Sequence, residues 1–282
     1  MFFGIDLSTR RQSLQGKTIL ARGEARDFGV HIVSVEPLLD DEALLDVLTK
    51  QEFVRCGVDC PLSLPPCVLC RVCPCDCRWS EWAMMLGFQP DDIYHYRLSD
   101  MVVRKTVQHV GPKPPLSNGG PVDITPLTLR WLRLARQLFA QDAPLEKTVE
   151  VYASGSIQIL ATLTGLVQQT VFRYRKSSAL RASFLCSLAE RQWLTASEDV
   201  WELLVQSDDA LDAAIACFSA YLASRGEILW PSDLLGLEER RSSSMVRPLQ
   251  RGCYEMRSTL TEVLLQSPWV ALPDPLKLKA FL

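Results

Sequence analysis

The chain has 282 residues, of which 48% are hydrophobic and 22% are charged, and its formal net charge is −3. These are ordinary values for a soluble globular protein with a real core, and they exclude the strong overall positive charge that by itself would indicate nucleic-acid binding. No apolar run is long enough to span a bilayer and no signal peptide is visible, so we expect a cytoplasmic protein without a membrane partner.

The first predicted strand, residues 2–8 (FFGIDLS), carries one acid, Asp6, among apolar residues. A carboxylate in such a strand is costly to bury unless a partner or a metal compensates its charge. Asp6 is therefore a candidate site residue, and a turn cap or an ion pair is the ordinary alternative. Strands over residues 18–25 and 30–35 and a helix over residues 40–51 follow, so the chain opens with a three-strand meander.

A fourth predicted strand, residues 54–61, ends on Asp59 and leads into a loop that contains three prolines. Proline forbids helix or central strand in that loop. Because open α/β sheets place their sites beyond the carboxyl ends of strands, Asp59 is a second candidate site residue. The alternative is an aspartate that caps the start of the loop.

The cysteine run over residues 67–77 (CVLCRVCPCDC) is the most unusual stretch of the chain. Thiolates this dense suit a soft or borderline ion, so we expect structural zinc, with an iron–sulfur cluster or uncoordinated thiols as alternatives. Without an export signal, cysteines are more often thiols or metal ligands than disulfides. The candidate zinc ligands are Cys67, Cys70, Cys73, Cys75 and Cys77.

Basic residues with other polar neighbours follow the cysteine run. Arg97 and Asp100 have helical spacing and can share one face, and without further context a plain surface ion pair is the preferred interpretation of that spacing. An amphipathic helix predicted over residues 127–139 carries Arg130 in a loose basic stripe, and most such stripes are solvated faces.

A fifth strand is predicted to begin at residue 147, to contain Glu150 and to turn at residues 154–156. A basic and aromatic cluster, residues 173–176 (RYRK), precedes a predicted helix over residues 178–192. Such a cluster can contact phosphates, or it can be a helix-entry loop with incidental charges.

Two consecutive helices are predicted over residues 197–224, with Ser207 or Asp208 as the cap of the second. The second helix is almost entirely apolar, which predicts burial against the sheet. Asp209 and Asp212 are three residues apart and therefore neighbours on one helical face. Two carboxylates together on a buried helix repel each other unless a cation lies between them and other acids. Capping does not explain Asp212, which lies one turn inside the helix.

The order of these elements, with acids on the first strand, the fourth strand and the last sheet-packed helix, resembles the ribonuclease H-like fold in the variant shared with Holliday-junction resolvases. Short stretches spread over residues 2–230 are similar to one family in particular, the domain of unknown function 429 family of predicted nucleases. Those stretches are GIDLS at 4–8, GVDCPLSLP at 57–65, RLSD at 97–100, PLTLR at 126–130, VEVY at 149–152 and DDALDAAIA at 208–216.

The resemblance implies an α/β protein whose mixed five-stranded sheet is flanked by helices, with the cysteine-rich insertion after the fourth strand. We expect one domain over residues 1–282, with its core at about 1–66 and 147–230, the insertion at about 67–146 and a C-terminal extension at 231–282. The chain departs from the family pattern at Cys60, Ala153 and Asp100, where the family tends to have a small residue, a proline and a glutamate.

The function that the resemblance implies is hydrolysis of DNA or RNA with divalent Mg or Mn, which prefer oxygen ligands. The expected ligands and catalytic residues are Asp6, Asp59, Asp209 and Asp212, with Asp100 and Glu150 as possible additions. The expected phosphate contacts are Arg97, Arg130, Arg173 and Arg175. The alternatives are a non-catalytic scaffold of the same fold that uses a zinc-binding cysteine cluster, and an ATP-handling enzyme of the related actin and sugar-kinase fold. The latter needs glycine-rich phosphate loops that the chain lacks.

Overall fold

The structure is a computed structural model, and it describes residues 1–8, 18–63, 81, 83–84, 87–97, 99–101, 103, 125–166, 173–228, 270–271, 273–274 and 277–278. The cysteine run over residues 67–77, at the start of the predicted insertion, lies outside these residues, and only parts of the rest of that insertion are described. Within the described part of the chain, no helix is both long enough and apolar enough to cross a membrane.

The centre of the molecule is one mixed sheet, in which seven strands are present among the described residues in the order β6-β3-β2-β1-β4-β5-β7. Strand β2 is antiparallel to β1 and to β3, and the other neighbouring pairs are parallel. The strands are β1 (Phe2–Asp6), β2 (Thr18–Ala25), β3 (Val30–Leu38), β4 (Arg55–Asp59), β5 (Thr148–Val151), β6 (Leu194–Ala196) and β7 (Val270–Ala271).

The expected count of five strands is wrong, because the sheet has an additional strand at each edge. Strand β6 has three residues and β7 has two. Strands this short cannot display the alternation of apolar and polar residues by which a strand is recognised in sequence. The five predicted strands are all present, and they form the contiguous centre of the sheet.

Six helices of the described chain flank the sheet, and most of them lie where the sequence predicts them. They are α1 (Asp41–Lys50), α2 (Thr125–Ala140), α3 (Ala153–Leu163), α4 (Ser178–Glu190), α5 (Glu198–Gln206) and α6 (Asp208–Arg225). The predicted turn at residues 154–156 is wrong, since α3 begins directly after β5. A carboxylate from another strand, Asp59, accepts the first backbone N–H of α3, and no local sequence signal announces that cap.

Side chains of the central strands pack into two hydrophobic cores, one on each face of the sheet. On β1, Phe2 packs into the core shared with α3, α4, α5 and α6, whereas Phe3 and Ile5 pack into the core shared with α1 and α2. Because side chains alternate along a strand, Asp6 lies on the same face as Phe2, which is the face that α6 covers. The side chain of Asp6 is thus turned toward α6, the helix that carries the candidate site residues Asp209 and Asp212.

Candidate active site

Helix α6 lies directly on strands β1 and β4 because both strands have a glycine at the crossing. A Cβ atom on Gly4 would lie 2.1 Å from the carbonyl oxygen of Ala213 and 2.2 Å from the amide nitrogen of Cys217. A Cβ atom on Gly57 would lie 2.2 Å from the carbonyl oxygen of Ala216. Any side chain at either position would therefore force the helix away from the sheet.

The same two strands each place an aspartate two residues beyond the glycine. In the parallel register, Gly4 lies opposite Gly57 and Asp6 lies opposite Asp59. Residues two apart on a strand share one face, so both aspartates lie on the face covered by α6. The repeated Gly-x-Asp pattern thus sets the distance to the helix and places two carboxylates side by side at the carboxyl ends of β1 and β4.

Helix α6 supplies the other two acids from its first turns. Ser207 caps the helix by accepting the Ala210 N–H at 3.2 Å. Asp209, Asp212 and Ala213 follow the helical spacing that keeps residues on one side, and Ala213 marks that side as the one packed on Gly4. Asp212 is only 3% exposed, and Asp209 is partly buried. We call the four residues Asp6, Asp59, Asp209 and Asp212 the acid cluster.

Burial and neighbouring charges both raise the pKa values of the acid cluster. Burial is the largest cause that raises the pKa of Asp6 well above its ordinary value, and the neighbouring charges of Asp59, Asp212 and Asp209 raise it further. The pKa of Asp59 is raised to about 6, mainly by burial, although the Ala153 amide lowers it. The pKa of Asp212 is raised to about 8, first by burial and then by Asp59. Burial and then Asp208 raise the pKa of Asp209. Burial and the neighbouring acids therefore both disfavour the charged forms of these carboxyl groups.

Arg175 is a cation within the site. Its Nη2 atom lies 3.2 Å from Oδ2 of Asp212, and 58% of its side chain is exposed. Its charge lowers the pKa of Asp6, Asp59, Asp209 and Asp212 against the larger effect of burial. One guanidinium thus faces four carboxyl groups.

Tyr174, next to Arg175, fixes the orientation of the most buried acid. Its hydroxyl donates to Oδ1 of Asp212 at 2.8 Å, and it accepts from Nε of Arg175 at 3.1 Å. The ring is buried, so the hydroxyl reaches the site from within the protein. The sequence identifies residues 173–176 as a basic and aromatic cluster, but it gives no signal that the tyrosine belongs to the site.

Arg181 is a further residue that sequence reasoning missed. Its guanidinium is 5% exposed, and it donates to the carbonyl oxygens of Tyr174, Val205 and Gln206. Val205 and Gln206 are in the last turn of α5, where carbonyl groups have no helical partners. Arg181 therefore ties the Tyr174 turn to the junction between α5 and α6, immediately before the capped start of α6.

Glu150 and Asp100, the two possible additions to the catalytic acids, are partners of a buried arginine. Arg97 is 2% exposed and donates from Nη1 to Glu150 at 2.7 Å and from Nε to Asp100 at 2.9 Å. Glu150 also accepts the backbone N–H of Leu62 at 2.8 Å. This ion network connects β5 to the loop that follows Asp59. Arg97, expected to contact phosphate, is thus enclosed by protein groups.

The remaining predicted arginines differ in their surroundings. Arg130 is 5% exposed, forms an ion pair with Asp41 at 2.7 Å and donates to the carbonyl oxygen of Ser8, two residues after Asp6. Arg173 is exposed at the start of the Tyr174 turn. Of the four expected phosphate contacts, Arg175 therefore pairs with the acid cluster, Arg173 is exposed one residue before Tyr174, and Arg97 and Arg130 are buried in ion pairs.

The described side chains do not form a ready-made metal site. Among them, no group of three or more histidine, cysteine, aspartate or glutamate residues is placed to hold one metal ion. The candidate zinc ligands Cys67, Cys70, Cys73, Cys75 and Cys77 all lie outside the described part of the chain. The arrangement is a cluster of carboxyl groups with one exposed arginine paired to its most buried member.

Comparison with known proteins places the chain in a family without indicating an activity. No curated protein and no solved structure matches the chain. The model of one family, described as a protein of unknown function (DUF429), matches residues 4–234. That range contains both Gly-x-Asp patterns, the Tyr174 turn and the whole of α6. The chain therefore belongs to the DUF429 family.

Proposed function

We propose that this protein is a metal-dependent nuclease of ribonuclease H-like fold that hydrolyses phosphodiester bonds in DNA or RNA. The topology supports the fold assignment, because the five central strands have the order β3-β2-β1-β4-β5 with only β2 antiparallel to its neighbours. That order places β1 at the centre, where its carboxyl end adjoins that of β4.

The observation that carries the proposal is that β1, β4 and α6 bring Asp59, Asp209 and Asp212 near enough to Asp6 for their charges to raise its pKa. Carboxylate oxygens are the ligands that Mg²⁺ and Mn²⁺ prefer. Burial, and after it the neighbouring acids, raises the pKa of Asp6 and Asp212, and a divalent cation would favour their charged forms. The donor set therefore fits Mg or Mn, which these four residues would hold. A bound ion would supply an activated water and would stabilise the leaving oxygen.

Neighbouring residues of the chain would orient the carboxylate ligands and bind the phosphates of the substrate. Tyr174 holds Asp212 by its hydroxyl, and the amide of Ala153 holds Asp59 at 3.1 Å. Arg173 and Arg175 are exposed on the adjoining turn, where guanidinium groups can bind the phosphates of a nucleic acid. The buried Arg97 network would keep the loop after Asp59 in place.

A second candidate function is a non-catalytic scaffold or binding protein of the same fold that uses a zinc-binding cysteine cluster. One observation favours it, which is that the described acids do not form a ready-made metal site. In that reading the Arg175–Asp212 ion pair is permanent and the acids serve only as caps and ion-pair partners.

The deciding experiment is a cleavage assay with Mn²⁺ on labelled single-stranded, duplex and branched DNA and on RNA. The proposal predicts cleavage of at least one substrate, with a loss on the order of a hundredfold in Asp6→Asn. The matched control is Asp46→Asn, which changes an exposed aspartate of α1 that pairs with Lys50 on the surface. Equal rates in Asp6→Asn and wild type, or no cleavage of any substrate, would favour the scaffold.

A further inference from the structure

We propose that Arg175 is a displaceable counter-ion of the acid cluster, which pairs with Asp212 in the metal-free protein and leaves it when a divalent cation binds. This inference rests on the proposed function, because it concerns how the same acids change from an arginine-paired cluster to a cation site. It assigns Arg175 a role before substrate arrives, in addition to contact with phosphate.

The contacts of Arg175 place it where a cation is needed. Nη2 of its guanidinium is 3.2 Å from Oδ2 of Asp212, and Nε donates at 3.1 Å to the Tyr174 hydroxyl, which itself donates to Asp212. Arg175 thus offsets part of the charge of Asp212 in the metal-free protein. A divalent cation that took Asp212 as a ligand would compete with this guanidinium for the same carboxylate.

A comparison with Arg97 indicates that the pairing of Arg175 is reversible. Arg97 is 2% exposed and lies between Glu150 and Asp100, so moving it would leave buried charges without partners. Arg175 is 58% exposed, and water can solvate its guanidinium as soon as it leaves Asp212. The ion pairs of Arg97 are thus permanent, whereas the ion pair of Arg175 with Asp212 can exchange.

The neighbouring residues allow this exchange without rearrangement of the fold. Arg181 holds the backbone of the turn through the carbonyl oxygen of Tyr174, so the Arg175 side chain can swing while the turn stays in place. The Tyr174 hydroxyl still donates to Asp212 after the arginine has left, and it keeps that carboxylate oriented. The freed guanidinium then lies beside the site, where it can bind a substrate phosphate.

The test is a calorimetric titration of Mn²⁺ into the full-length wild type, Arg175→Gln and Lys176→Gln at one neutral pH. Removal of the guanidinium takes away a positive charge that opposes the incoming ion. The repulsion from the guanidinium is twice as large for a divalent ion as for a proton that competes for the same carboxylates. We therefore expect Arg175→Gln to bind Mn²⁺ about tenfold more tightly than wild type. Lys176→Gln removes a charge from the exposed neighbouring residue, and we expect its affinity to stay within about twofold of wild type.

Each outcome decides the inference, and the outcomes separate it from the proposed function. Displacement of Arg175 from Asp212 is supported if Arg175→Gln alone binds Mn²⁺ more tightly than wild type. It is also supported if this variant binds Mn²⁺ and wild type does not. If wild type binds Mn²⁺ and Arg175→Gln binds it equally or more weakly, Arg175 is not a competing counter-ion, while the metal-dependent function stands. If none of the three proteins binds Mn²⁺, both ideas fail. Circular dichroism and thermal melting of the same samples establish that the variants are folded.

Discussion

Asp6 and Asp59 are register partners on adjacent parallel strands, and each lies two residues after a glycine on which helix α6 rests. The Gly-x-Asp pattern of β1 and β4 therefore determines both how closely the helix packs on the sheet and where the two carboxyl groups lie. Gly4 and Gly57 admit the helix backbone, and strand alternation turns both carboxyl groups toward it.

Replacement of Gly4 by alanine should separate α6 from β1 and strongly destabilise the protein. The new Cβ would meet backbone atoms of Ala213 and Cys217 at 2.1 and 2.2 Å, which cannot move independently of the helix. We expect Gly4→Ala to lower the free energy of unfolding by about 3 kcal/mol or more in urea titrations. The control Gly165→Ala has open space around its Cβ at a φ of 74°, so only backbone strain of about 1 kcal/mol is expected. Equal losses in the two variants would contradict the close-packing account.

The metal-free protein should lose stability as the pH rises from about 4 to about 8. The pKa values of Asp59 and Asp212 are raised from 3.8 to about 6 and about 8, so the folded state binds their protons more tightly than the unfolded state does. The stabilisation is complete below the unfolded pKa and is lost as the pH passes through the folded values. Melting temperatures across this range should fall in wild type and fall less in Asp212→Asn. A flat wild-type profile would mean that the acids are compensated.

Arg181→Gln should destabilise the protein and loosen the Tyr174 turn. Three carbonyl oxygens, from Tyr174, Val205 and Gln206, would lose a buried guanidinium donor. The expected loss is about 2–4 kcal/mol in the free energy of unfolding. Hydrogen exchange should quicken at residues 174–176 and at the start of α6, while the amides of α1 serve as the internal control. Unchanged exchange at the turn would remove Arg181 from the positioning role.

Glu150→Gln should affect stability much more than cation binding. The variant leaves Arg97 buried with one carboxylate partner fewer, which costs about 3 kcal/mol, and it weakens the acceptor for the Leu62 amide. Urea unfolding measures that loss. Because Glu150 is occupied by these partners, we expect Mn²⁺ affinity to change by less than about threefold. A loss of affinity as large as that of Asp6→Asn would place Glu150 among the metal ligands.

The part of the site that the sequence predicts is the part encoded in local patterns. The acids of β1 and β4 and the three-residue spacing of Asp209 and Asp212 can be recognised because strand and helix periods fix which residues share a face. The role of Gly4 and Gly57 emerges only from the packing of α6. The five central strands and the capped helix α6 follow from the same periodicities.

The rest depends on contacts between residues distant in the chain. Arg97 meets Glu150 across 53 positions, and Tyr174 meets Asp212 across 38. No spacing rule distinguishes such a buried arginine or tyrosine from one on a solvated surface. The cap that Asp59 provides for α3 arises in the same way, which is why the sequence places a turn there. The edge strands β6 and β7 were missed because two or three residues carry no period.

The measurement that tests the central claim most directly is a calorimetric Mn²⁺ titration of wild type, Asp6→Asn and Asp209→Asn, with the zinc content recorded beforehand. Asp46→Asn, on the exposed surface of α1, is the matched control. If the acids from β1 and α6 form one cation site, wild type and the control bind Mn²⁺ and both site variants lose at least about tenfold in affinity. Equal binding by all four proteins, or no binding by wild type, would contradict a shared divalent-cation site.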